Sequence, residues 1–159
     1  MSQENLQDYY TIIESCIETL GFDAETCRSD QPGQWNLTRG SANVWIDCWH
    51  IELQGRAYYQ VMSPLMEVPH ENQRPLFEEL LGLNDKLFGV SFTLYNGLIW
   101  LKAIREARGM DVEEALNILA RISTYADMYD DYLSNKYGGR MIGTADIVAA
   151  HGPTEEVQR

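Results

Sequence analysis

The chain has little cysteine, and Cys16, Cys27 and Cys48 are an odd number with no C-x-x-C spacing. Neither a disulfide framework nor a zinc cluster is indicated. Basic residues are scarce as well. Twelve Lys and Arg stand against 24 Asp and Glu, a formal net charge of −12. That excess repels phosphate backbones and anionic lipid, so it argues against nucleic acid and membrane surfaces as partners. Acidity also keeps a protein soluble, and it leaves basic or amphipathic protein segments as the better-matched partners. No apolar run reaches the ~18 residues needed to span a bilayer. The start, MSQENLQDYY, lacks the basic and apolar regions of a secretory signal, so a reducing cytoplasm is the expected location. The linear signatures of P-loop and dinucleotide binding, of the nucleophile elbow and of zinc metalloproteases are missing too, and nothing calls for a cofactor.

What is present is an ordinary globular composition, 45% apolar and 23% charged over 159 residues, enough for one domain with a real core. The stretch Leu80 to Arg105 is the most legible. Two runs rich in β-branched and aromatic residues flank Asn96-Gly97, the dipeptide that best tolerates the two positive φ angles of a type I′ turn, which predicts a hairpin. Before it, Leu76, Phe77, Leu80 and Leu81 recur at helical spacing. That helix is expected from about Glu71, with Pro75 in its first turn, to Asn84. After the hairpin, Asp111 caps a long helix with Glu114 three residues on and an apolar stripe from Val112 to Leu133, ended by Gly138-Gly139.

Towards the N-terminus, Leu6, Tyr9, Ile13, Cys16, Ile17 and Leu20 share one face of a helix expected from about Gln3 to Leu20. Asp23 to Gly33 has the composition of a surface loop. From Gln34 the period becomes two. Trp35 and Leu37, then Asn43 to Leu53, then Arg56 to Glu67 read as a three-stranded meander. Residues 1–140 form the single expected domain. Residues 141–159 are expected to be a mobile tail, in which Met141, Ile142, Ile147 and Val148 could dock against a partner or the parent domain.

Alternate residues of a strand face opposite ways, so parity sorts the sheet into two unlike faces. Val44, Ile46 and Cys48, with Phe88, Val90, Phe92 and Leu94 of the hairpin and Ile99, Leu101 and Ala103, make one aliphatic face that helices should cover. Trp45, Trp49, Ile51, Tyr95 and Trp100, among Asp, Ser, Thr and Lys, make a second, amphipathic one. Polar-tipped aromatics are enriched where protein surfaces meet, which makes these five the candidate partner-binding residues; a covering loop or C-terminal tail would equally account for them. Full burial of a large apolar side chain is worth roughly 1.5–3 kcal/mol, so four would sustain a specific association even after its entropic cost.

Two other constellations bear on chemistry. Cys48 and His50, two apart on a strand, would suit an activated thiolate or a metal, with Glu52 beside them in a cleft, although Cys48 also simply continues the aliphatic face. Asp127, Asp130 and Asp131 lack the facing acidic cluster that a divalent-cation site needs and read as a solvated helix face. No catalytic or metal-ligating residue is assigned.

The order α-β-β-β-α-β-β-α resembles the secretion-chaperone fold shared by type III secretion chaperones and the YbjN family. The resemblance runs from about Leu6 to Lys136. It is carried by Leu80-Leu81-Gly82-Leu83-Asn84, Gly89 with the strand after it, the Asn96-Gly97 turn and the Asp111-initiated helix. It implies a two-layer α+β fold, an antiparallel sheet with helices on one face. It also implies a non-enzymatic protein, often a homodimer, that holds a segment of another protein. The YbjN branch, labelled a bacterial sensory-transduction regulator, is the nearer expectation; a dedicated type III secretion chaperone and a small-molecule or enzyme cleft near Cys48 and His50 are the alternatives.

Overall fold

The computed structural model describes residues 5–142. Helix α1 (Leu6–Thr19) begins at Asn5, whose side chain accepts from the Gln7 N–H, so an Asx cap sets its start. A single-turn helix α2 (Ala24–Cys27) follows, then β1 (Gln34–Arg39), β2 (Ala42–Ile51), a 3-10 turn over Glu52–Gln54, and β3 (Arg56–Glu67). Helix α3 (Gln73–Lys86), the hairpin β4 (Ser91–Tyr95) and β5 (Leu98–Glu106), and α4 (Val112–Tyr137) complete the described chain. The expected order therefore holds, with α2 added where a plain loop was expected. Its cause is local. Asp23 accepts from the Glu25 N–H, and the Ala24 N–H donates to Glu18 of α1, which folds one turn and buries Ala24 and Cys27. The same loop is tied down by a two-pronged Arg28–Glu14 ion pair at 2.6 and 2.9 Å.

All five strands are antiparallel, in the order β1-β2-β3-β5-β4. At the hairpin, Asn96 and Gly97 both have positive φ, 50° and 71°, as a type I′ turn demands. The aliphatic face of the sheet is sealed. Ile13, Cys16 and Ile17 of α1, Leu76 and Leu80 of α3, and Ala115, Leu119, Ile122, Ala126 and Leu133 of α4 pack with Val44, Ile46, Cys48, Val61, Leu101 and Ala103 in one core. The fold is the two-layer α+β arrangement with its helices on one face.

Helix α4 starts with a full capping box. The Glu114 N–H donates to Asp111 Oδ1 at 2.8 Å and the Asp111 N–H to Glu114 Oε2 at 3.1 Å, which satisfies two donors that a helix start otherwise leaves orphaned. Helix α3 runs to Lys86, two residues beyond the expected Asn84. Asn84 does not end it; instead its side chain accepts from the Phe92 N–H at 2.7 Å and donates to the Phe92 carbonyl at 3.3 Å, so it occupies the backbone of the edge strand. Phe88, read as part of the hairpin, lies before β4 and is 76% exposed.

Of the acidic trio of α4, Asp127 and Asp131 are exposed as expected, but Asp130 is not part of a solvated face. Asp130 is buried, and the Ser41 hydroxyl lies 2.6 Å from Asp130 Oδ2 and 2.7 Å from Asp127 Oδ1, with the Ser41 N–H donating to the same Asp127 oxygen at 2.8 Å. The β1–β2 turn is thereby clamped to α4. Gly40 sits in this clamp at φ +62°, and a Cβ there would stand 2.6 Å from Asp127 Oδ1. Gly40→Ala should therefore lower stability by roughly 1–3 kcal/mol, from left-handed strain and the broken clamp together. A lower urea midpoint with an unchanged slope is the expected result; an unchanged midpoint would contradict the clamp.

Candidate functional site on the second sheet face

The face turned away from the helices is built in rows by the strand register. One row crosses all five strands as Asn36, Trp45, Met62, Lys102 and Ser91. Beside it run Gln34, Asp47, Gln60 and Ile104, then Trp49, Tyr58 and Glu106. On the other side lie Pro64, Trp100 and Thr93. The amphipathic parity read from β2 and the hairpin continues through β3, which adds Tyr58, Gln60 and Met62. These three went unassigned from sequence, although the same period of two would have found them.

The five candidate residues fall into two groups. Trp45 and Trp100 are only 2% and 1% exposed, and Ile51, at the end of β2, is 6% exposed; Trp49 and Tyr95 are half-buried. The two buried indoles meet edge to face, centroids 5.7 Å apart, a geometry worth about 0.5–1.5 kcal/mol beyond area burial. The Trp100 indole N–H donates to the Tyr95 carbonyl at 3.1 Å. Leu98 and Ile142 complete a small cluster with these two indoles, and Met62 and Tyr95 pack against it. Trp49 lies further along, its ring tilted against Tyr58 at 6.2 Å.

Ile142 reaches this cluster by a defined route. After α4, Gly139 packs so tightly on β3 that a Cβ would fall 2.5 Å from the Glu67 carbonyl, so only glycine lets the chain pass. The Glu67 N–H then donates to the Arg140 carbonyl at 2.8 Å, and Met141 bridges to Met66. Met141 and Ile142 are thus docked on the parent domain. The rest of the tail expected over residues 141–159 lies outside the described residues.

Polar groups are embedded among the aromatics. Gln60 Nε2 donates to Asp47 Oδ2 at 3.4 Å, and both residues are buried. Burial pushes the Asp47 carboxyl up to about 6 against the opposing pull of that bond, and burial lowers the pKa of half-buried Lys102. Gln60 Oε1, Asn36 Oδ1 and the Trp49 indole N–H are buried with no hydrogen-bond partner among the described residues. The face therefore buries two acceptors and one donor that no described group satisfies.

The alternative cleft is not assembled. Cys48 is 2% exposed inside the helix-covered core, His50 is half-buried at the end of β2, and Glu52 is exposed in the following turn. Burial also raises the pKa of Cys16 to about 11, and that of Cys27 through burial and then Asp23, opposite to the shift that activates a thiol. Among the described residues no helix is long and apolar enough to cross a membrane.

This arrangement, a five-stranded antiparallel sheet with helices on one side only, is that of the secretion chaperones. A chain of the ExsC–ExsE complex superimposes with a TM-score of 0.60 at 16% identity, covering 80% of this chain and 94% of that one. A chain of the HopA1–SchA chaperone–effector complex gives 0.58 at 14% identity, covering 80% and 98%. YbjN from E. coli gives 0.50 at 14% identity, covering 90% and 99%. No curated protein matches in sequence. The family model "T3SS (YopN, CesT) and YbjN peptide-binding chaperone 1" matches residues 7–144. The chain belongs to that family.

The buried carboxyl on this face makes a pH signature. Asp47 titrates near 3.8 when unfolded and about 6 in the fold, so folding takes up a proton between these values and stability falls as pH rises from about 4 to about 6. Asp47→Asn should flatten that part of the profile and raise stability at pH 7 by at most about 3 kcal/mol. Denaturation midpoints across pH 4–8 measure both; a variant that keeps the wild-type slope would contradict the assignment.

Proposed function

We propose that the protein is a non-enzymatic, cytoplasmic module that binds an extended segment of another protein on its second sheet face. Half-buried Trp49 and Tyr95 supply the accessible apolar contacts, with Trp45, Ile51 and Trp100 packed beneath the same face. The observation that carries this reading is the set of buried, unpartnered Gln60 Oε1, Asn36 Oδ1 and Trp49 N–H groups set among them. Each such group costs about 1–3 kcal/mol while unsatisfied, and an extended backbone brings N–H and C=O groups in alternation to relieve it. Membership in a family of peptide-binding chaperones supports the same reading, and solved relatives include a chaperone–effector complex. Three buried cysteines outside any disulfide suit a reducing compartment.

Selection from displayed random 12-residue peptides should yield extended binders with apolar side chains at alternate positions. Trp49→Ser combined with Lys102→Glu should weaken those binders at least ten-fold while far-UV circular dichroism stays unchanged. Failure to select any binder, or equal binding by the double variant, would sink the reading.

Self-association is assigned to a different surface. At the α3–β4 edge Leu81, Phe88 and Leu94 are 69%, 76% and 59% exposed, around an apolar hollow of about 220 Å³ lined by Phe77, Leu80, Phe92 and Ile99 among others. Exposed apolar groups gathered in this way mark an interface, and one such patch on each copy is self-complementary about a two-fold axis. A homodimer, about twice 18.2 kDa, is expected in sedimentation. Leu81→Asp with Leu94→Asp should give the monomer mass; a monomeric wild type would overturn this assignment.

A further inference from the structure

Lys102 is a cation on the second sheet face that has no counterpart among the described residues. It lies in the interior of that face, on β5 between Met62 of β3 and Ser91 of β4, and is half-buried. The ion pairs among the described residues engage Arg28, Arg56, Arg74, Arg105, Lys136 and Arg140, and Lys102 takes part in none of them. Its ammonium makes no hydrogen bond among the described residues either, and burial lowers its pKa. An ammonium that has lost water and gained no acceptor is held at a cost.

The carboxylates of the face do not reach it. Asp47 lies two strands across and two residues along, roughly 12 Å away at ~4.8 Å per strand and ~3.4 Å per residue. Burial raises its carboxyl, the opposite of what a lysine contact would do. Glu106, at the end of β5, is paired with Arg56 at 2.6 Å.

We propose that Lys102 selects one acidic side chain in the segment bound on this face, an assignment that rests on the peptide-binding reading above. The preferred ligand is then an extended apolar strand carrying a single Asp or Glu. A carboxylate completes the ammonium with a charge-assisted hydrogen bond, stronger than one to a neutral carbonyl. The surroundings set what flanks the acid. Met62, across from Lys102, is half-buried, and Ile104, two residues along the strand, is 44% exposed, so apolar side chains belong at the alternate positions beside it. The protein's 24 Asp and Glu against 12 Lys and Arg repel a run of carboxylates, so one acid over Lys102 is favoured where several are not. Residues of the same face lie on either side of Lys102, which puts it along the path of the bound strand and not at its terminus.

The test uses the full chain and the peptides selected against it, synthesised with amidated C-termini so that any carboxylate belongs to a side chain. A single Asp or Glu with apolar residues at alternate positions beside it should recur among them. Replacing that acid by its amide should weaken binding to the wild type at least ten-fold, and binding to Lys102→Met less than two-fold. Lys102→Met keeps the apolar stem, and far-UV circular dichroism checks its fold. Lys102→Glu should prefer the same peptide with Lys in place of the acid at least ten-fold over the acidic one, a swap that a merely structural lysine would not produce. Added salt should shrink the wild-type preference. The acid-against-amide comparison on the wild type needs no variant. Equal binding of those two peptides, or an equal preference in wild type and Lys102→Met, overturns the assignment and leaves the peptide-binding reading standing. A preference that appears only with a free C-terminal carboxylate overturns the side-chain assignment too. Failure to select any binder overturns both.

Discussion

Burial of one apolar sheet face under helices α1 and α4 is the constraint on which the rest depends. Val44, Ile46, Val61, Leu101 and Ala103 point into it, and α4 lays a stripe of Ala115, Leu119, Ile122, Ala126 and Leu133 across them. Small residues on that stripe let a 26-residue helix lie close to the strands. The helices are then spent. With α1 and α4 on the first face and α3 occupied at the edge strand through Asn84, no described helix remains to cover the second. Every alternate residue of five strands is consequently presented to something other than the domain's own helices. Here the fold gives rise to the site: a one-sided cover leaves an amphipathic surface that is flat, wide and built from rigid backbone.

The clamps explain why that surface holds its shape. The β1–β2 turn is gripped by Asp127 and Asp130 through Ser41, and Arg39 donates to Ser123 at 2.8 Å, so the outer strand is tied to the same helix that seals the core. At the other end of α4, Glu79 of α3 accepts from Lys136 at 2.6 Å and Tyr137 at 2.7 Å. Isolated exposed ion pairs contribute little, but these contacts come in groups and several are half-buried. Their effect is geometric. They fix β1 to the long helix directly, and β4 through α3, whose Asn84 holds the Phe92 backbone.

Much of this was legible in the chain. The Asn96-Gly97 turn, the Asp111 and Glu114 cap and the period-two runs of β2, β3 and β5 are local signals, and local signals decide element type. Three things were not legible. Helix α2 hangs on Asp23, Glu18 and the Arg28–Glu14 pair, contacts reaching across as many as fourteen residues that no window displays. The clamp role of Asp127 and Asp130 depends on Ser41, more than eighty positions away. The depth of Trp45 and Trp100 depends on Ile142, which reaches them only because Gly139 fits against Glu67. Parity could place the five aromatic-face residues on one side, yet could not tell which of them are covered by the chain itself.

A face sealed once and for all would be expected to resemble the first one, aliphatic and without orphaned polar atoms. The second is different in kind. Asp47, Gln60 and Lys102 sit among indoles, and Asp47 is held above its ordinary carboxylate range by burial. Such groups reduce stability when the face is bare or filled by hydrocarbon alone, and they are satisfied only by a partner with donors and acceptors in register. On the proposed reading the arrangement trades binding strength for discrimination: apolar contacts would attract many sequences, while the polar groups would reject occupants that cannot match them. An occupant held in this way is also replaceable, since one backbone satisfies the same atoms as another. On the proposed reading, that interchangeability follows from the chemistry of the face rather than from the identity of any one occupant.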